Sequence, residues 1–265
     1  HNDIDTVSFT GSTEVGRMFM RYSGDSNLKG VGLEMGGKSP FIVLEDAILD
    51  DELIEHAAMS AFWNGGQNCS ANMRQLIAAP LVDEFTGRII DRVKSFKLGD
   101  PLDPSTDIGS MITKDHKEMV MSYIQSGLAE GAGMLMGGES DFPGHFIKPT
   151  VFENVTPEMK IAKEEIFGPV LGIMSVKNAD EALKIASDTD YGLHATVFTQ
   201  NIDQALHMAR SLPCGTVSVN GFSEGDIKTP FGGYKQSGSL ARDNGTEAIE
   251  QYLQTKTIWV QTKNT

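Results

Sequence analysis

The chain has 265 residues, 40% of them hydrophobic, enough to bury the core of one large domain or of a domain plus part of another. Its 36 acidic and 22 basic residues leave a formal net charge of -14, the wrong sign for a phosphate backbone, so no nucleic acid is expected as partner. No stretch of about 18 apolar residues occurs and the start, His1-Asn2-Asp3-Ile4-Asp5, lacks a basic-then-apolar pattern, so neither a membrane span nor a signal peptide is expected. Two cysteines, Cys69 and Cys214, are sparse usage that suits a reducing, cytoplasmic setting and leaves a thiol free for chemistry.

In chain order, Thr6 to Gly11 reads as a strand, and Ser12 or Thr13 as the N-cap of a helix over Val15 to Tyr22. Ser39 to Leu44 reads as a strand, Asp50 to Trp63 as a helix, Gln75 to Ala79 as a strand and Val82 to Phe96 as a helix with apolar Phe85, Ile89, Ile90 and Val93 on one face. A proline-bearing loop over Leu98 to Lys114 precedes a helix over Glu118 to Glu130. Strand Val170 to Val176, helix Ala179 to Ser187, strand Ala195 to Thr199, helix Ile202 to Ser211 and strand Thr216 to Val219 follow. This alternation predicts an α/β fold built on a parallel sheet. After a glycine-rich loop, Gly221 to Gly238, comes a helix near Thr246 to Leu253, and the β-branched end Thr255 to Gln261 reads as a strand that needs a partner sheet. A chain that begins directly before a strand, without a start methionine, reads as cut from something larger.

Five clusters carry chemistry. In Asn64-Gly65-Gly66-Gln67-Asn68-Cys69-Ser70-Ala71 a glycine-bearing turn presents Cys69, where nearby backbone N–H groups would lower the thiol pKa and later hold an oxyanion. A buried, inert cysteine is the bland alternative, and it is the reading given to Cys214. In Leu33-Glu34-Met35-Gly36-Gly37-Lys38-Ser39-Pro40 one carboxylate sits in an apolar frame, which would raise its pKa and suit a base; an exposed strand-end Glu is the other reading. Phe9-Thr10-Gly11-Ser12-Thr13-Glu14-Val15-Gly16 is a helix start able to hold a phosphate, or an ordinary capped helix, since neither the G-x-G-x-x-G spacing nor a P-loop is met. Glu164-Glu165-Ile166-Phe167-Gly168-Pro169 and Pro230-Phe231-Gly232-Gly233-Tyr234-Lys235-Gln236-Ser237-Gly238 suit either ligand pockets or tight core turns.

Taken together and in this order, the five clusters resemble the aldehyde dehydrogenase superfamily over essentially the whole chain. Lys235-Gln236-Ser237-Gly238 and the ending Lys256-Thr257-Ile258-Trp259-Val260 look most like its aminoaldehyde-oxidising branch, including γ-glutamyl-γ-aminobutyraldehyde dehydrogenases. The resemblance implies the three-layer, parallel-sheet catalytic domain of that family over residues 38–245. It also implies a remnant of the dinucleotide-binding domain over 1–37 and a helix with an oligomerisation strand over 246–265. It makes Cys69 the nucleophile and Glu34 the base. Gly11, Ser12, Thr13 and Gly16 fall beside a cofactor pyrophosphate, Glu165 on the nicotinamide ribose and Phe167 against the nicotinamide. Trp63 and Phe231 line the aldehyde tunnel, and no metal is called for. Departures are the Gly65-Gly66 pair, where many members carry a bulkier residue before the glycine, and the absence of the N-terminal half with its cofactor-selecting residue and oxyanion asparagine.

The implied reaction is oxidation of an aldehyde to an acid with NAD or NADP, through a thiohemiacetal and a thioester on Cys69 that Glu34 helps hydrolyse. The fragment alone is expected to be inactive, and the parent to form a homo-oligomer through the C-terminal strand. Glu224 and Asp226, placed by the resemblance at the tunnel mouth, point to a cationic aminoaldehyde; a solvated acidic loop is the bland reading. A cofactor-independent thiol ester hydrolase and a catalytically silent assembly module are the alternatives.

Overall fold

The protein is described here by a computed structural model that covers residues 1–263. It opens with strand β1 (Thr6–Gly11), helix α1 (Thr13–Gly24) and strand β2 (Gly30–Met35), and β1 and β2 pair in parallel as a two-stranded sheet of their own. The Ser12 hydroxyl caps α1 by accepting from the Val15 N–H, as the sequence predicts. Next come β3 (Pro40–Val43), α2 (Asp51–Phe62, capped by Asp50), β4 (Arg74–Ala78), α3 (Val82–Lys94) and α4 (Lys114–Ala129). The chain continues with β5 (Gly133–Glu139), β6 (Ile147–Glu153), the short α5 (Lys160–Lys163), β7 (Val170–Val176) and α6 (Ala179–Ser187). It ends with β8 (Tyr191–Gly192), β9 (His194–Phe198), α7 (Ile202–Ser211), β10 (Thr216–Val219), β11 (Tyr234–Lys235) and α8 (Glu247–Glu250).

Seven strands form the main sheet in the order β10-β9-β3-β4-β7-β6-β5. All its pairings are parallel except β5 with β6, so the sheet is mixed rather than wholly parallel. A reversal is possible there because β5 and β6 are consecutive and joined by the short turn 140–146, with no crossover helix between them. Both strands escape a reading by apolar runs: β5 is Gly-Met-Leu-Met-Gly-Gly-Glu, kinked by register shifts near Gly137 and Gly138, and β6 carries Pro149.

Alternation across the sheet generates two cores. Ile42, Leu76, Phe152, Val170, Met174 and Val176 point to the side closed by α4, α6 and α7; Phe41, Val43, Ile77, Val151, Leu171 and Ile173 point to the side closed by α2 and α3. The central strands β3, β4 and β9 are buried on both faces, the three-layer arrangement that the resemblance implies. No helix among the described residues is long and apolar enough to cross a membrane.

The C-terminal expectations need correction. The helix near Thr246 to Leu253 contracts to Glu247–Glu250, and Thr255 to Gln261 takes no strand among the described residues. Ile258, Trp259 and Val260 are 76%, 87% and 76% exposed, because within one chain no sheet edge reaches them.

Arg74, at the start of β4, is only 3% exposed and ties the sheet to the site-bearing segment. Its Nε donates to the Lys38 carbonyl at 2.8 Å, and its Nη1 and Nη2 donate to the carbonyls of Ile185 and Ala186 at 3.1 and 3.0 Å. Replacing it strands three acceptors, the Lys38 and Ala186 carbonyls in buried surroundings and that of Ile185 partly so. Arg74→Leu is expected to lower unfolding stability by ~2–4 kcal/mol, read as a fall in urea midpoint with an unchanged slope.

Candidate active site

The segment that closes β2 is the point on which the motifs converge. Glu34 pairs with Thr10 of β1 on one side and forms an antiparallel bridge with Gly238 on the other. Met35 donates its N–H to the Ser237 carbonyl at 2.8 Å, and Ser239 donates to the Leu33 carbonyl at 3.0 Å. Beyond Met35 two glycines let other segments close in. A Cβ on Gly36 would collide with the Glu165 carboxylate, and one on Gly37 would stand 2.7 Å from the Cys69 carbonyl oxygen. Likewise a Cβ on Gly232 would lie 2.6 Å from Glu34 Oε1, and one on Gly66 would lie 2.5 Å from the Gly168 carbonyl oxygen. The Glu, Cys, Glu165–Phe167 and Phe231–Gly238 motifs therefore abut one another through missing side chains.

Glu34 is 7% exposed, and neither carboxylate oxygen has a hydrogen-bond partner among the described residues. Burial first, and the negative charge of Asp243 second, push its pKa up to about 8, against its usual 4.5. Leu33 and Met35, its neighbours along β2, point to the opposite face of the strand, and it is Gly232 that lies against the Glu34 carboxylate. Glu165 accepts the Gly37 N–H at 3.3 Å, and burial lifts its pKa to about 7. The nearby Lys38 is 3% exposed, its ammonium has no partner among the described residues, and burial followed by the like charge of Arg74 lowers its pKa to about 7.

Cys69 follows a 3₁₀ turn, Trp63–Gly66, in which Asn64 and Gly65 adopt positive φ of 52° and 63°. The thiol is half-buried and donates toward Asn68 Oδ1 at 3.8 Å. Its pKa is not lowered, as the turn's N–H groups suggested, but pushed up to about 11. Burial is the larger cause, followed by the carboxylates of Glu224 and Glu165, and these outweigh the local backbone donors. Cys214 sits higher still, at about 12, and donates toward the Thr216 carbonyl at 3.4 Å.

The remaining sequence-selected residues are more dispersed. Gly16 is buried because α1 leans on β2, where a Cβ would collide with Met35 Sδ, so packing accounts for it. Gly11 and Ser12 are exposed at the helix start, and Thr13 donates its hydroxyl to the Gln236 carbonyl at 3.3 Å, joining that start to the Phe231–Gly238 loop. Phe167 is 37% exposed at φ 53°, with its carbonyl 2.6 Å from His116 Nε2. Trp63 is 57% exposed, and Phe231 pairs its backbone with Asp243. Glu224 and Asp226 part company. Glu224 folds onto the residues beside Cys69, whereas the Asp226 carboxylate accepts the Lys228 N–H at 2.9 Å in a local turn. Sequence reasoning missed His116, Ser70 and Arg74, which lie far along the chain from what they hold or show no distinguishing pattern. Asn68, beside the thiol, offered the nearest signal.

A profile of the aldehyde dehydrogenase family matches residues 1–258, and the chain belongs to that family. It is 42% identical over 260 residues to the aminoacetaldehyde dehydrogenase of Pseudomonas aeruginosa, covering 98% of this chain and 52% of that protein. It is 48% identical over 261 residues to aldehyde dehydrogenase 1A1 of Gallus gallus, covering 98% and 51%. Among solved structures, the indole-3-acetaldehyde dehydrogenase AldA of P. syringae in complex with NAD+ and IAA superposes with a TM-score of 0.96 at 41% identity, over 99% of this chain and 53% of that one. The aldehyde dehydrogenase KauB from Pseudomonas aeruginosa gives 0.96 at 42% identity with the same coverage. The chain thus spans about half the length of the curated relatives it matches.

The raised pKa of Glu34 has a stability consequence with a definite sign. Below pH 4 the carboxyl is neutral folded and unfolded and contributes nothing; as pH rises through 4.5 to 8 only the unfolded chain gives up the proton, so folding weakens across that window. Glu34→Gln removes this penalty. It should raise stability at pH 9 by ~1–3 kcal/mol after allowance for solvent screening and leave it nearly unchanged at pH 4. Equal shifts at both pH values in thermal or urea unfolding would disprove a buried, late-ionising carboxyl.

Proposed function

We propose that this chain supplies the catalytic half of an enzyme that oxidises an aldehyde to a carboxylic acid, with Cys69 as nucleophile and Glu34 as base. The observation that carries the reading is the contact between segments: the Cys69 backbone seats on Gly37, three residues after a buried carboxylate whose oxygens are unpartnered among the described residues. Cys69 Sγ attacks the aldehyde carbon and yields its proton to base, giving a thiohemiacetal. After oxidation the carbon is held as a thioester. Glu34, half-ionised near pH 8, takes a proton from the water that attacks that thioester, releasing the acid and the thiol.

The hydride acceptor is proposed as NAD, in line with the NAD+ complexes of similar structures; NADP is the other nicotinamide carrier compatible with the residues here. The capped start of α1 with Gly11 and Ser12 exposed, the Glu165 carboxylate beside Gly36 and the exposed Phe167 ring fit the pyrophosphate, ribose and nicotinamide respectively. When bound, that group accepts a hydride from the substrate carbon. Residues 1–37 are proposed as part of its binding domain, 38–245 as the catalytic domain and 246–265 as an oligomerisation segment. The exposed Ile258, Trp259 and Val260 support assembly with a second copy. The substrate class proposed is a cationic aminoaldehyde, supported by the aminoacetaldehyde-oxidising relative and by Glu224 beside the thiol. Two unbridged cysteines suit a cytoplasmic setting.

The test uses a chain of full family length carrying these residues. Cys69→Ala should cut NADH formation by on the order of 10³ or more. Glu34→Gln should keep a single-turnover burst of NADH while slowing steady-state release by ~10²–10⁴. The 265-residue chain alone should reduce NAD negligibly. Full turnover in Cys69→Ala would refute the assignment, and ester cleavage without NADH formation in the longer chain would favour a thiol hydrolase.

A further inference from the structure

Asn68 and Ser70 flank Cys69, and both are bound by one residue from 155 positions further along the chain. Asn68 Nδ2 donates to Glu224 Oε1 at 3.2 Å, and the Ser70 hydroxyl donates to the same oxygen in a short contact. A carboxylate can only accept, so the Asn68 amide must turn its NH₂ toward Glu224 and its Oδ1 the other way. That oxygen receives the Cys69 thiol at 3.8 Å and the Ser70 N–H at 3.5 Å, the single Ser70 hydroxyl proton being committed to Glu224. Ser70 is fully buried, whereas Glu224 is exposed and its Oε2 has no hydrogen-bond partner among the described residues.

We propose that Glu224 is a positioning residue that holds the nucleophile at rest: by orienting the Asn68 amide, oxygen toward sulfur, it favours the protonated thiol, and a substrate ammonium group that pairs with Glu224 releases that hold. This rests on the proposed aldehyde-oxidising reading and adds to it a switch by which a cationic substrate activates its own nucleophile. An acceptor beside sulfur suits S–H; the same amide rotated would offer N–H to a thiolate. Two charged groups face the thiol, Glu224 from the loop after β10 and Glu165 from the loop before β7, and both act against ionisation. On the other side of the Glu224 loop the His194 ring lies 3.0 Å from the Ser223 carbonyl, and burial keeps it neutral, its pKa lowered to about 4. Glu224 is therefore the only one of these groups that is both exposed and joined to the cysteine's neighbours. A cation at Oε2 cancels its charge and weakens its pull on the amide.

The experiment reads the rate of Cys69 alkylation by iodoacetamide against pH, by peptide mass spectrometry on the 265-residue chain, so it needs neither cofactor nor turnover. The proton lost from sulfur passes to buffer, and iodide leaves as the S–C bond forms. At pH 8, Glu224→Gln should alkylate about tenfold faster than the natural chain, the change produced by about one unit in thiol pKa. In the Asn68→Ala background the same substitution should have a markedly smaller effect, because the amide is the relay. Propylammonium chloride should accelerate the natural chain severalfold over sodium chloride at equal ionic strength and leave Glu224→Gln unaffected. Unfolding of a variant would show in its melting curve and in labelling of Cys214, and the propylammonium comparison on the natural chain then decides alone. Superimposable rate–pH curves, an undiminished effect in Asn68→Ala, or no acceleration by propylammonium would each overturn the proposal. Failure of aldehyde oxidation in the longer chain with the alkylation results intact would instead sink the catalytic reading and leave the switch standing.

Discussion

The site depends on backbone approach at positions that carry no side chain. Gly36 and Gly37 end the strand that holds Glu34, and the space where their β-carbons would stand is filled by the Glu165 carboxylate and the Cys69 carbonyl. Gly232 and Gly66 repeat the arrangement against Glu34 and Gly168. Four segments separated by up to about two hundred residues thereby share a volume in which a methyl group has no room, and protein interiors do not yield that much without displacement. Glycine loses more conformational entropy on folding than any other residue, so four of them at one junction make sense only if the closeness itself is needed.

Bringing backbone so close excludes water, and exclusion sets the electrostatics. Glu34, Glu165 and Cys69 all resist ionisation for the same first cause, burial, while Lys38 is driven the other way by the same cause. Groups of both signs are thereby moved toward neutrality, a response to low dielectric that costs folding stability at pH values where exposed counterparts would be charged. It also leaves two carboxyls and an amine able to exchange protons near neutral pH, which is the condition for acid–base work. A resting thiol, rather than a thiolate, follows from the same enclosure.

Much of this was legible in the sequence. Strand β7 announced itself by an apolar run and helices α6 and α7 by apolar spacing after an Asn N-cap, because their stability rests on burial that periodicity records. The strands β2, β5 and β6 did not, since glycines and a proline dilute their apolar content and pairing with neighbours, not local preference, holds them in place. The direction of the Glu34 shift could be read from its apolar sequence setting, although Leu33 and Met35 face away from it along the strand and Gly232, about two hundred residues on, packs against its carboxylate. That of Cys69 could not, because the carboxylates that oppose its ionisation lie about a hundred residues or more away, and the turn around it suggested the opposite sign. The terminal segment's strand pattern remains without a sheet in one chain, which is what β-propensity without a partner produces.

The same division explains why the acidic loop was the hardest element to place. Glu224 and Asp226 are two residues apart and equivalent in composition, yet one is captured by a local turn through the Lys228 N–H and the other crosses to the cysteine loop. What separates them is not charge but the hydrogen-bond donors within reach: Asp226 faces the Lys228 amide of its own turn, whereas Glu224, one methylene longer, meets an amide and a buried hydroxyl on either side of the thiol. A carboxylate placed there raises the cost of charging sulfur while adding a bond to each of its neighbours. It therefore ties the loop together and opposes ionisation of the thiol through the same carboxylate.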